Sequence, residues 1–88
     1  MKLIIAIVRD TDNDIVSHTL NAANFRVTCI ASTGSFWRKG QSTLLVGVED
    51  EKLEGALQII RDNVTKPTED DSHHTTIFVL NVNQFSQI

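Results

Sequence analysis

The sequence predicts an α+β sandwich: a four-stranded antiparallel sheet with two helices on one of its faces. Three observations carry this. Four short segments of strand character, Leu3–Val8, Phe25–Ser32, Leu44–Val48 and Ile77–Val82, alternate with two amphipathic stretches. Their order is strand, helix, strand, strand, helix, strand. Only a glycine-bounded loop separates the middle pair, so that pair forms a hairpin, while each helix makes a crossover. Together these define a ferredoxin-like βαββαβ fold. At 88 residues, with no repeat, linker or low-complexity run, residues 1–88 make one domain.

Each element has its own warrant. Leu3–Val8 is an isoleucine-rich run closed by Arg9-Asp10, which suits a strand buried on both faces. Thr11 or Asp12 can cap the first helix, and Asp14 puts negative charge in its first turn. Ile15, Val16, Leu20 and Ala23 form its apolar stripe, and Asn21 or Asn24 can end it, because asparagine tolerates left-handed backbone. Phe25 to Ser32 alternates. Phe25, Val27, Cys29 and Ala31 are expected beneath the helices, which makes Cys29 inert core. Arg26 and Thr28 then lie on the open side. Thr33 to Thr43 is the loop, bracketed by Gly34 and Gly40, and Leu44–Val48 returns. Asp50 is a good cap for the second helix, whose stripe is Leu53, Ala56, Leu57, Ile60 and Val64. Lys66-Pro67 ends it. Thr68 to Thr75 is polar, and the tail from Asn83 to Ile88 carries two glutamines and Phe85.

Composition narrows the function classes. The net charge of −3 argues against a general binder of nucleic acid or anionic membrane. Apolar content of 41% and charged content of 22% suit a globular protein. The single cysteine excludes a disulfide within the chain and a Cys-based zinc site. The N-terminal apolar run of six residues is too short for a signal peptide, and no run approaches the ~18 of a membrane span. A cytoplasmic location is expected. A domain this small buries only about 60–65% of its unfolded surface. Its first and last strands are apolar on both faces, so something must cover the open side of the sheet. Identical copies are the simplest candidate.

Several chemistries fall away. An RNA-recognition domain shares this strand order but stacks bases on aromatics of its central strands, and LIIAIV and LLVGV have none. His73 and His74 with Asp70 and Asp71 read as a solvated loop, since adjacent loop residues rarely converge on one ion. His18, His73 and His74 pair with no nucleophile, so no catalytic constellation and no metal site emerge.

The loop remains. Phe36-Trp37 followed by Arg38-Lys39 offers flat apolar faces beside positive charge. A stacked base contributes about 1–3 kcal/mol. A charge-assisted bond to phosphate contributes about 1.5–3 kcal/mol. Fixing the loop residues costs roughly 1 kcal/mol or more each. One base and one phosphate do not offset that cost, so either the hairpin pre-orders the loop or the ligand brings more of both. On motif content alone, packing of the two aromatics against a neighbouring subunit is as good a reading.

The runs MKLIIAIVRD, NFRVTCIASTGSFWRKGQSTLLVGVED and IFVLNVNQFSQI closely resemble the PII-like cyclic-di-AMP receptor proteins, over nearly the whole chain. The most specific portion is Asn-Phe-Arg-x-Thr, then Thr-Gly-x-Phe-x-Arg-x-Gly before a strand carrying Val-Gly-Val. The resemblance implies a ferredoxin-like homotrimer that binds cyclic di-AMP between subunits, has no enzymatic activity or cofactor, and signals to a downstream protein. Carried over by position, the ligand contacts fall on Asn24, Arg26, Thr28, Phe36, Trp37, Gln41, Gly47 and Gln87. Arg26 and Thr28 can address phosphate, Phe36 and Trp37 can hold adenine, and the two glutamines suit its edge. Gly47, lacking a side chain, lets a ligand approach the backbone. The chain departs from the family pattern at Ser35, Trp37 and Gln41, where glycine, an aliphatic residue and asparagine are usual. The connection Lys66 to Thr75 is also shorter than is usual. The alternatives are a PII-type sensor of ATP or ADP and a protein-interaction trimer without a nucleotide ligand.

Overall fold

The computed structural model of the chain describes residues 1–32, 40–66 and 75–88. β1 (Lys2–Arg9) leads into α1 (Asp10–Ala22); β2 (Val27–Ser32) and β3 (Gln41–Val48) follow; a 3-10 turn (Asp50–Lys52) opens α2 (Leu53–Asn63), and β4 (Thr76–Asn81) completes the sheet. The strand order is β2-β3-β1-β4, with every neighbouring pair antiparallel. This is the expected ferredoxin-like βαββαβ sandwich.

The two faces of the sheet differ because side chains alternate along a strand. Ile4, Ala6 and Val8 of β1 and Leu44, Val46 and Val48 of β3 are buried. Val16 and Leu20 of α1 and Ala56, Leu57 and Ile60 of α2 join them in one core. Each fully buried aliphatic side chain contributes about 1.5–3 kcal/mol. On the opposite face, Leu3, Ile5, Ile7 and Leu45 are half-buried, and Phe78 and Leu80 are exposed.

Helix α1 ends as its asparagines suggested. Asn24 adopts φ 70°, the left-handed region. The Phe25 N–H donates to the Leu20 carbonyl (2.9 Å) and the Asn24 N–H to the Asn21 carbonyl (3.0 Å). These two bonds form a Schellman cap, and its usual apolar contact is supplied by Phe25, which packs against the core that contains Leu20.

The start of α1 corrects the expected cap. The helix begins at Asp10 behind an extended Arg9, without a side-chain cap. Its first residue is tied to β3 and the residue just before it instead: the Asp10 N–H donates to the Gly40 carbonyl at 3.0 Å, and the Ser42 hydroxyl donates to the Asp10 carboxylate. The buried stripe is Asp12, Val16 and Leu20, a strict four-residue spacing. Ile15 lies off that stripe at 47% exposure, and Ala23 is the exposed C-cap. A carboxylate tolerates burial only when its oxygens are satisfied. Thr65 satisfies Asp12 by donating from its backbone N–H at 2.9 Å and its hydroxyl at 2.7 Å. Asp12 therefore staples the end of the α2 arm to α1.

Four further expectations are corrected. Gln41, Ser42 and Thr43 belong to β3 rather than the loop, paired with Arg9, Val8 and Ile7 of β1. Cys29 is exposed. It lies opposite buried Leu44, but β2 is an edge strand, and at Ile30 a bulge breaks the alternation, so that Ala31 pairs with Thr43. Asp50 caps nothing; its carboxylate meets the Met1 amino group at 3.0 Å. Helix α2 stops at Asn63, where Val64 turns extended, ahead of Lys66. Phe36, Trp37, Ser35, Arg38, Lys39, Pro67, Asp70, Asp71, His73 and His74 lie outside the described residues.

Candidate functional site: a cleft on the open sheet face

A cleft of about 450 Å³ lies at one end of the open face. Its floor is set by strand register. Gly47 of β3 lies opposite Leu3 of β1, and Thr28 of β2 lies opposite Leu45 of β3. All four alternate with core-facing neighbours, so they face away from the helices. Arg26, just before β2, adds its side chain to the same lining. The remaining wall is the C-terminal tail, which contributes Val82, Phe85 and Gln87.

The tail is held at its root. The Val82 N–H donates to the Met1 carbonyl at 3.1 Å, continuing the β1–β4 ladder past the last residue of β4. The Lys2 ammonium donates to the Asn81 side chain. Both chain ends thus meet at the cleft.

The cleft is apolar with a cationic edge. Among the described residues, its charged lining consists of Lys2 and Arg26, with no carboxylate. This local sign opposes the net charge of −3 on the chain. Among the described residues, the one ion pair is that of the Met1 amino group with Asp50. The same amino group, through a hydrogen bond and its charge, holds the Asp50 carboxyl below its ordinary value. Arg26 takes no part in an ion pair there, so its guanidinium can serve an anion.

Gly47 has a specific role in this geometry. A Cβ added there would stand 3.2 Å from Met1 Cε, the movable end of a flexible side chain. Its own fold therefore tolerates a small side chain at this position, and the absence of one opens the backbone to the cleft.

Of the residues carried over by resemblance, Arg26, Thr28, Gly47 and Gln87 come together here. Two do not line the cleft. Gln41 starts β3, opposite Arg9, six residues and about 20 Å from Gly47 along the strand. Asn24 is exposed, and its backbone forms the α1 cap. Lys2 and Phe85 are additions to the predicted set. For Phe85 a signal existed in the sequence, because it lies two residues before Gln87, and extended chain places such residues on one side. Among the described residues no group of side chains could hold a metal ion. No described helix is long and apolar enough to cross a membrane.

Comparison with known proteins gives two findings. A model of the cyclic-di-AMP receptor family matches residues 1–70. The chain is also similar to the crystal structure of a functionally unknown protein from Pediococcus pentosaceus, at 29% identity and a TM-score of 0.77, covering 99% of this chain and 96% of that one.

Proposed function

The chain belongs to the cyclic-di-AMP receptor family, and on that premise we propose that it is a cytoplasmic, non-enzymatic sensor binding cyclic di-AMP between the subunits of a homotrimer. The observation that carries this reading is the cleft, where Arg26, Thr28, Gly47 and Gln87 converge around an apolar floor. A cyclic dinucleotide needs flat apolar surface for its bases and cationic donors for its phosphates, and the cleft supplies both kinds of group. The separation of Gln41 from Gly47 supports the intersubunit form of the reading. Both sit on the open face of one strand, too far apart for one ligand to touch both within a chain, but Gln41 of one copy can meet a ligand held at Gly47 of the next. The half-exposed apolar residues of that face supply the surface on which copies associate. Binding orders the segment that carries Phe36 and Trp37 and so changes the surface offered to a downstream protein.

Calorimetry and thermal shift with cyclic di-AMP, cyclic di-GMP, ATP and ADP test the reading. Ligand at 100 times its dissociation constant should stabilise the fold by about 2.7 kcal/mol. Silence to cyclic di-AMP at high micromolar concentration sinks the proposal. A response to ATP or ADP alone replaces it with a mononucleotide sensor, and silence to all four leaves a protein-interaction trimer. Arg26→Ala should weaken cyclic di-AMP binding about tenfold or more, through loss of a charge-assisted bond, with the oligomer unchanged.

A further inference from the structure

We infer that Phe85 is a ligand-binding residue of the cleft, its ring forming the apolar wall against which one base of the bound nucleotide lies. The inference rests on the receptor reading above and adds the tail to the binding apparatus.

Three observations support it. The first is position. The tail leaves the sheet through the Val82–Met1 backbone bond and the Lys2–Asn81 contact. Phe85 follows three residues after that anchor, so its ring is delivered to the cleft from a fixed root. The second is exposure. Phe85 is 63% exposed although it lines a concave, largely apolar site. A ring that open contributes little to its own chain's core, and its free face is what a planar base would cover. The third is chemistry. Among the described residues lining the cleft, Phe85 is the aromatic one, and it shares that lining with the cations Arg26 and Lys2. An aromatic face beside donors for phosphate is the pairing by which proteins hold a nucleotide when stacking carries the base. Leu3 and Leu45 continue the apolar surface beneath it.

The test is calorimetric titration of cyclic di-AMP into the full chain and into Phe85→Ala, Phe85→Tyr and Ser86→Ala, with melting temperature and oligomeric state measured for each. Phe85→Ala should lose about tenfold in affinity while keeping the melting temperature and assembly of the ligand-free parent. Phe85→Tyr, which keeps the ring, should bind as the parent does. Ser86→Ala, which alters a neighbour outside the lining, should also bind as the parent does. Unchanged affinity in Phe85→Ala overturns the assignment and leaves the receptor reading standing. So does a loss of affinity accompanied by a broken assembly or a fall in melting temperature, because Phe85 is then structural. If the parent binds no nucleotide, the receptor reading falls and the assignment falls with it.

Discussion

The two faces of this one sheet are built from nearly the same residues and reach opposite outcomes. On the helix side, Ile4, Ala6, Val8, Leu44 and Val46 are fully buried by side chains of the same chain. On the other side, Leu3, Ile5, Ile7 and Leu45 are equally aliphatic and only half-buried, with Phe78 at 51% exposure beside them. The first face is complete within 88 residues and accounts for the fold. Among the described residues the second has no such cover, and the cleft lies on it. What differs is not the strands' composition but the parity of each position, since one residue's shift along a strand moves a side chain from one regime to the other.

The largest expected effect breaks the closed face. Leu20 is fully buried at the C-terminal end of the α1 stripe and also provides the carbonyl that the Phe25 N–H uses in the helix cap. Leu20→Ala should destabilise the chain by about 2–5 kcal/mol, a large share of the roughly 5–15 kcal/mol total of a small domain. Chemical denaturation checks this. A loss below about 1 kcal/mol would mean that the core relaxes around the gap and is less specifically packed than its burial suggests.

The same parity decides how much was legible in the sequence. The strand character of β1, from its apolar run, and the helical spacing of α2 were readable because each is a local pattern, although β1 is fully buried on one face only and not on both as its run suggested. Asn24 was readable as a helix ender because its chemistry suits left-handed backbone. Most of the misreadings involve partners distant in sequence. Asp12 resembled a cap until Thr65, 53 residues away, made it a buried staple. Gln41 to Thr43 resembled loop because they are polar, and they become strand by pairing with Arg9, Val8 and Ile7. Cys29 followed the alternation, but no local signal gives the uncovered edge or the bulge at Ile30. In the site, Arg26 and Thr28 were legible from strand parity, whereas Gly47 and Gln87 needed the resemblance. Lys2 joins because the tail returns to Met1, and the local signal for Phe85 was its spacing from Gln87.

A second experiment acts on the open face alone. Phe78 faces it opposite Ile5 and is half exposed within one chain. Phe78→Glu should leave the far-ultraviolet circular dichroism of the folded chain intact and, for the trimer proposed above, shift the species seen by sedimentation from trimer to monomer. A charge is tolerated on an exposed surface but costly when buried without a partner between subunits. A Phe78→Glu protein that remains trimeric would place the contact between copies elsewhere and dissolve the contrast between the two faces.

The smallest expected effect lies where the two regions meet. Asp50 begins the turn into α2, in the helix layer, while Met1 lines the cleft, and their charges meet at 3.0 Å. The Met1 amino group lowers the Asp50 carboxyl below its ordinary value of 3.8. A group lowered on folding stabilises the fold while it is ionised in the native state. The contribution is therefore fully present above the ordinary value and disappears as pH falls through the lowered one. Asp50→Asn removes it at all pH values. The stability difference between parent and Asp50→Asn should accordingly be small and constant from neutral pH down to about pH 5, then close in acid. The pair is exposed and screened by salt, so added salt at neutral pH should shrink the difference as well. Parallel melting curves across pH and salt measure it. A difference that widens in acid would reverse the sign assigned to Asp50 and would mean that the carboxylate opposes, rather than supports, the junction between the closed face and the cleft.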